Sequence, residues 1–268
     1  MTEPLILVTN DDGISSPGLW AAANAVAELG EVLVVAPDRQ WSGAGRSMPR
    51  TVSGAITVEE RVLDNGRELR AFAVDATPAL CIIHAMLELV PRKPMLVISG
   101  INFGENVSTE ITISGTIGAA LEAATFGVTA IAVSVEMPVE EHLVGNPAAD
   151  YGAAKAMTYR FARHVLLRAL PFDVDVLNIN VPASAVPSTP WRLTHLSRRR
   201  YFLPVEPDRQ RGEGRPGYRT MEDLSDTESG SDVRALRVER LVSVTPLSLD
   251  MTARAPFALL EEQLLTAE

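Results

Sequence analysis

Two adjacent acids, Asp11 and Asp12, end an apolar run and precede a glycine in TNDDG, residues 9–13. In an extended strand neighbouring side chains point to opposite faces, but a strand that ends at Thr9 and turns through Gly13 can swing both carboxylates toward one ion. Carboxylate oxygens suit a hard cation such as Mg2+ or Mn2+, and the lack of a Cys or His cluster argues against structural zinc. Asn-Asp-Asp-Gly is also good turn chemistry, so the pair by itself leaves a plain turn and a metal site both open.

Two further clusters have similar character. In APDRQWSGAGRS, residues 36–47, the Ser42 hydroxyl and the flexible backbone of Gly43, Ala44 and Gly45 could supply a metal ligand and an amide nest for a phosphate. An ordinary glycine-rich loop is the alternative. In ISGINFGENVSTEITISGTIGAA, residues 98–120, Asn102 follows a strand, and Ser114, Gly115 and Thr116 stand at the start of a helix. Unpaired amides at such a start face an anion, with hydroxyls to assist, although capping explains Ser114 or Thr116 as well.

Ligands of an open parallel sheet collect beyond the carboxyl ends of its strands, so the coincidence of three polar clusters at successive strand ends carries more weight than any one. Apolar runs of strand length occur at 5–9, 32–36, 95–99 and 128–135, alternating with helical stretches near 17–29, 78–90 and 115–126. Continuous rather than alternating apolar strands imply burial on both faces, hence an α/β, Rossmann-like, doubly wound and mostly parallel sheet. A helix from about Ala148 to Leu170, entered after GNPAAD, leads to a strand at 174–181 and closes a core domain expected over residues 1–182. Within it, ITVEERVL and RELRAFAV flank Asp64, Asn65 and Gly66, the pattern of an edge hairpin.

Residues 183–268 read as a C-terminal extension with a charged loop, a β-hairpin arm for oligomer contacts and a terminal helix. WRLTHLS and VRALRVERLVSVTPL are its strand-like segments. Between them, PDRQRGEGRPGYRT and MEDLSDTESGSD read on composition as a mobile surface loop rather than a substrate-facing arm, and the strand-like segments that bracket them make a protruding hairpin used in oligomer contacts the sharper hypothesis.

Lys and Arg total 24 against 34 Asp and Glu, and the resulting net charge of -10 repels polyanions, which excludes duplex nucleic acid as an expected partner. The single cysteine, Cys81, cannot form an internal disulfide and sits in apolar CIIHAM as a small core residue, which fits a reducing compartment. MTEPLILV meets Asn10 too early for a signal peptide or membrane span, so the expected location is cytoplasmic, with no membrane association. His84, His142, His164 and His195 lie apart from the three clusters and receive no chemistry, and SRRRY reads as a solvated or interface segment.

Taken in order, ILVTNDDGISSPG, VVAPDRQWSGAGRS, VDATPALC, VISGINFGENV, SGTIGAALEA, GVTAIAVS, LNINVP and SVTPLSLDMTA resemble the sequence blocks of the survival protein E (SurE) family of nucleotidases, from about Leu5 to Thr252. The resemblance implies one divalent ion, Mg2+ or Mn2+, per subunit, held by Asp11, Asp12, Ser42 and Asn102. It implies hydrolysis of nucleoside 5′- or 3′-monophosphates, in some members also of short polyphosphate, and association as homodimers or homotetramers through the C-terminal arm. The sequence departs from the family pattern near the site. Gly45 and Arg46 stand where the family has Ser and Asn, Leu80 stands where it has Asp, and Ile113 stands where it often has an aromatic residue.

These features lead to an expected mechanism in which a metal-activated water attacks phosphorus in line, with Asp11 or Asp12 as candidate proton acceptor. Gly43, Arg46, Ser47, Ser114, Gly115 and Thr116 are the candidate phosphate-binding residues, Arg46 through a guanidinium fork. A metal-dependent nucleotide-binding or regulatory protein without turnover is the alternative. Haloacid-dehalogenase-type chemistry wants two acids one residue apart and is set aside.

Overall fold

The computed structural model describes residues 3–142, 149–212 and 214–265. Its centre is a nine-stranded sheet built from β1 (Leu5–Thr9), β2 (Glu31–Pro37), β3 (Ile56–Val62), β4 (Glu68–Val74), β5 (Leu96–Phe103), β6 (Ala130–Val135), β7 (Val176–Val181), β8 (Trp191–Leu193) and β11 (Val242–Leu247). The spatial order is β3-β4-β2-β1-β5-β6-β7-β11-β8. The block from β4 to β7 is parallel, while β3 runs antiparallel to β4 and β11 antiparallel to β7. From β1 the chain goes first to β2 on one side and later to β5 on the other, so the strand order reverses at β1 and β5. This is the doubly wound, Rossmann-like arrangement expected from the sequence, and ligand crevices form at that reversal.

Period-two alternation along β1 explains the layering. Ile6 and Val8 pack on one face with Leu19 and Val26 of α1 (Pro17–Val26) and Met157 and Phe161 of α4 (Gly152–Leu167). Leu7 packs on the other face with Cys81 and Ile82 of α2 (Pro78–His84) and Ile117 and Ala120 of α3 (Gly115–Thr125). Small residues let the layers close up. A Cβ on Gly18 would lie 2.0 Å from the Ile101 carbonyl oxygen, so α1 crosses β5 at a distance that only glycine permits.

Several boundaries differ from expectation. The helix expected over 78–90 is α-helical only to His84 and widens into π-type turns over Ala85–Leu89. The helix expected from Ala148 begins at Gly152, and residues 145–148 of GNPAAD lie outside the described residues. The edge hairpin forms as expected, with β3 outermost, and Gly66 turns at φ +83°.

The boundary expected at residue 182 does not divide the sheet. β8 and β11, both from beyond it, extend the main sheet, and the two pair with each other in parallel rather than as a hairpin. Thr194 Oγ1 fastens them by hydrogen bonds to Ser243 Oγ at 2.8 Å and Thr245 Oγ1 at 2.7 Å. The hairpin of this region lies inside the charged stretch, where β9 (Phe202–Val205) pairs antiparallel with β10 (Gly217–Thr220). Its base is anchored by a small separate core in which Tyr201 is fully buried with Val107, Val233 and Leu236, so SRRRY is not simply a solvated run. The terminal helix, α5 (Phe257–Leu265), has no buried residue. Among the described residues no helix is long and apolar enough to cross a membrane.

Candidate active site at the reversal of strand order

The turn after β1 is made by Asn10. Its amide nitrogen donates to the Gly13 carbonyl at 3.0 Å, and its carbonyl oxygen accepts from the Gly13 amide at 3.2 Å. Gly13 completes the turn at φ +93°, where a Cβ would also meet the Arg39 backbone at 3.0 Å. This local closure holds Asp11 and Asp12 side by side. The loop after β2 is tied to the same turn by the Trp41 amide, which donates to the Asp11 carbonyl at 2.7 Å.

Each carboxylate has its own fixed setting. Asp11 Oδ1 accepts from Thr116 Oγ1 at 2.6 Å, and a Cβ on Gly115 would lie 2.7 Å from Asp11 Cβ, so the start of α3 rests directly on this side chain. Asp12 Oδ2 accepts from the Phe103 amide at 3.1 Å, and its Oδ1 accepts from Gln40 Nε2 at 3.1 Å. Burial pushes the Asp11 carboxyl up from its ordinary range, against hydrogen bonds from the Thr116 hydroxyl and nearby backbone amides. Asp12 is held well above that range, by burial first and then by the charge of Asp11.

Asn102 reaches the site because β5 is irregular. The ladder between β5 and β6 shifts between Ser99 and Asn102, and such a shift re-aims side chains at a strand end. Asn102 Nδ2 donates to the Gly104 carbonyl at 2.6 Å and the Phe103 carbonyl at 3.3 Å. With its donors engaged, the amide turns its carbonyl oxygen to the remaining side. Asp11, Ser42, Gly43, Asn102 and Ser114 all line one cleft of about 290 Å³.

Of the four expected metal-ligand residues, Asp11, Ser42 and Asn102 line the cleft and Asp12 does not, its Oδ2 accepting from the Phe103 amide. Among the described residues neither acid has a basic ion partner. Two carboxylates side by side without a counter-charge, Asp11 buried and Asp12 half-buried, are costly, and a divalent cation relieves that cost. Hard oxygen donors from Asp11, Asp12, Ser42 and Asn102 fit Mg2+ or Mn2+.

The expected phosphate-binding residues divide. Gly43 and Ser114 line the cleft, and Ser114 Oγ accepts from the Ile117 amide at 3.2 Å as the N-cap of α3, leaving its own hydrogen to donate. Gly115 carries the close approach to Asp11. The fully buried Thr116 spends its hydroxyl on Asp11 rather than on an anion. Ser47 does not line the cleft; its carbonyl accepts from Thr77 Oγ1 at 2.7 Å. Arg46 lies outside the cleft as well, with its Nε 2.6 Å from the buried Glu122 of α3. The Arg46 guanidinium does not face the cleft, because a buried carboxylate draws it away, whereas Arg200 does line it. Gly45 has a local reason too: its φ is +56°, and Gly118 passes so close that a Cβ there would lie 2.2 Å from the Gly45 oxygen.

Residues without an expected role also appear. His142 lines the cleft, and Gln40 Nε2, already on Asp12, also donates to the His142 carbonyl at 3.0 Å. Phe202, Pro204 and Tyr218 of the β9–β10 hairpin also line the cleft. The charged appendage therefore carries an arm that faces the cleft. No local signal marked His142 or Tyr218, since the pairing that brings them there is long-range.

A Rossmann-like α/β sheet with an acid pair, a helix start and a cleft at its strand reversal is built as a small-ligand-binding protein. A family described as "Survival protein SurE" matches residues 6–202 of the sequence. The chain belongs to the SurE family. It is 46% identical over 260 residues to a protein of Thermococcus gammatolerans named 5′-nucleotidase SurE, covering 97% of this chain and 95% of that one. A protein of the same name from Archaeoglobus fulgidus is 46% identical over 258 residues, covering 96% and 95%. The crystal structure of the SurE protein from Aquifex aeolicus superposes with a TM-score of 0.73 at 31% identity, covering 99% of this chain and 100% of that one.

Proposed function

We propose that this chain is a divalent-metal-dependent 5′-nucleotidase, a phosphomonoesterase that hydrolyses nucleoside 5′-monophosphates to nucleoside and phosphate. The observation that carries the reading is the Asp11 and Asp12 pair, the first buried and the second half-buried, without a basic partner among the described residues and beside the start of α3. The names of its relatives support the nucleotidase part. A divalent ion held by Asp11, Asp12, Ser42 and Asn102 would supply charge neutralisation at the phosphate and a more acidic water.

The chain's own residues do the rest. Thr116 and the first amides of α3 hold Asp11, while Phe103 and Gln40 hold Asp12, so neither carboxylate must reorganise as charge develops. The Ser114 hydroxyl and the backbone at Gly43 are the donors positioned for phosphate oxygens. Asp11 and Asp12 are the candidate proton acceptors for the attacking water. Activity on 3′-monophosphates and short polyphosphate, a cytoplasmic location, and a homodimer or homotetramer using the C-terminal arm and α5 belong to the same proposal.

The test is a panel of mononucleotides and polyphosphate with Mg2+ and with Mn2+, run on the wild type and on Asp11→Asn. Metal-dependent phosphate release from 5′-AMP, lost in the variant, is expected. Unchanged release by Asp11→Asn removes the metal site, and tight nucleotide binding without release would favour a regulatory binder instead.

A further inference from the structure

The cleft has two unlike sides. In the same cleft as Asp11 and Asn102 stand three rings that the proposed hydrolysis does not use. Tyr218 stacks on His142 with centroids 6.0 Å apart and planes 28° apart, and Phe202 meets both edge-on, at 6.0 Å from His142 and 5.5 Å from Tyr218. His142 is buried flat against the backbone of Gly104, where a Cβ would lie 2.7 Å from its Nε2. Tyr218 is 38% exposed at the mouth.

His142, Glu105 and Glu110 are already engaged. His142 Nε2 lies 3.0 Å from the Met137 carbonyl and Nδ1 lies 3.0 Å from the Tyr218 hydroxyl, which suits an Nε2–H tautomer accepting from Tyr218. Glu105 accepts from the Tyr201 hydroxyl at 2.6 Å and from the Met137 amide at 3.4 Å. Glu110 accepts from the Tyr201 amide at 3.1 Å. Arg200 also lines the cleft, with its Nε 3.5 Å from Glu110, so a ligand on this side meets chiefly ring faces and CH edges, with one guanidinium at the rim.

We infer that Phe202, Tyr218 and His142 form the nucleoside subsite of this cleft and hold the base by stacking, without reading its hydrogen-bonding edge. The inference rests on the phosphomonoesterase reading, since it places the base on the ring wall of the cleft that holds the phosphate. Stacking tolerates every base because each has a π face, and larger faces stack better. The subsite thus ranks purine above pyrimidine and separates adenine from guanine weakly. A site built to hydrogen-bond the base edge would discriminate by four or five orders of magnitude.

The experiment compares kcat/KM for AMP, GMP, CMP and ribose 5-phosphate, with Mg2+ or Mn2+, in the wild type and in Tyr218→Leu, Phe202→Leu and Tyr218→Phe. In the wild type AMP and GMP are expected to agree within about threefold, with CMP lower. The advantage of AMP over the base-free ribose 5-phosphate should fall about 10- to 100-fold in Tyr218→Leu and persist in Tyr218→Phe, which keeps the ring. An unchanged advantage in both leucine variants overturns the inference, as does a preference above about 100-fold between AMP and GMP. Calorimetric titration with adenosine separates the two readings. If no phosphate is released from any substrate, the hydrolase reading fails. Adenosine binding weakened by Tyr218→Leu would still sustain the subsite, and equal binding would sink it.

Discussion

Thr116 Oγ1 donates to Asp11 Oδ1 at 2.6 Å, so a hydroxyl in the first turn of α3 is committed to an acid at the end of β1. The contact fixes the carboxylate across the layer between helix and sheet. It also explains why a residue type that usually serves a helix start or a phosphate does neither here.

Thr116→Val keeps the shape and deletes that bond. A hydrogen bond to a charged group contributes about 1.5–3 kcal/mol, which converts to roughly 10- to 150-fold in kcat if the oriented carboxylate is needed in the transition state. Thr116→Ser should retain most activity. Steady-state kinetics with 5′-AMP decides the matter, and a valine variant as active as the wild type would show that Asp11 needs no such support.

Arg46 is expected to matter for stability and not for substrate affinity. Arg46→Ala leaves the Glu122 carboxylate, 6% exposed, without its partner at 2.6 Å, at a cost of about 1–3 kcal/mol. Chemical denaturation should report that loss, with KM for 5′-AMP within about twofold of wild type. A KM raised tenfold at unchanged stability would return Arg46 to the phosphate.

Much of the architecture was legible because it is local. Unbroken apolar runs such as LILVT have no exposed face to alternate with, and β1 spans those same five residues, Leu5–Thr9. Turn chemistry was legible for the same reason, since Asn10 and Gly13 close on each other within three residues. The sequence could not say that Arg46 would find Glu122, 76 positions away, because nothing near Arg46 distinguishes a buried carboxylate from a phosphate as its target. Nor could it say that VSVTPL would continue the main sheet beside β7, or that Tyr218 would stack on His142; those pairings are set by tertiary register.

The thiol of Cys81 should be inert in the folded protein. It is fully buried under the α2–α3 layer, and burial pushes its ionisation far above the usual thiol range, so little reactive thiolate exists at neutral pH. Ellman's reagent should therefore react only as fast as the protein opens, and at the free-thiol rate in denaturant. Rapid stoichiometric labelling of native protein would contradict the packing of this layer.

Gln40 connects the two sides of the cleft. Its Nε2 donates to Asp12 Oδ1 at 3.1 Å and to the His142 carbonyl at 3.0 Å, so one amide spans a metal-ligand candidate and the aromatic wall. Gln40→Leu removes both bonds while Asp12 keeps the Phe103 amide at 3.1 Å. A loss of about 1–1.5 kcal/mol corresponds to roughly 5- to 12-fold in kcat/KM for 5′-AMP. Because Asp12 is affected directly, the Mn2+ concentration for half-maximal activity should rise, and chelation should abolish activity in wild type and variant alike. Because His142 is affected too, the variant should lose more on AMP than on ribose 5-phosphate. Equal losses on both substrates would confine the role of Gln40 to Asp12 and detach it from the ring wall.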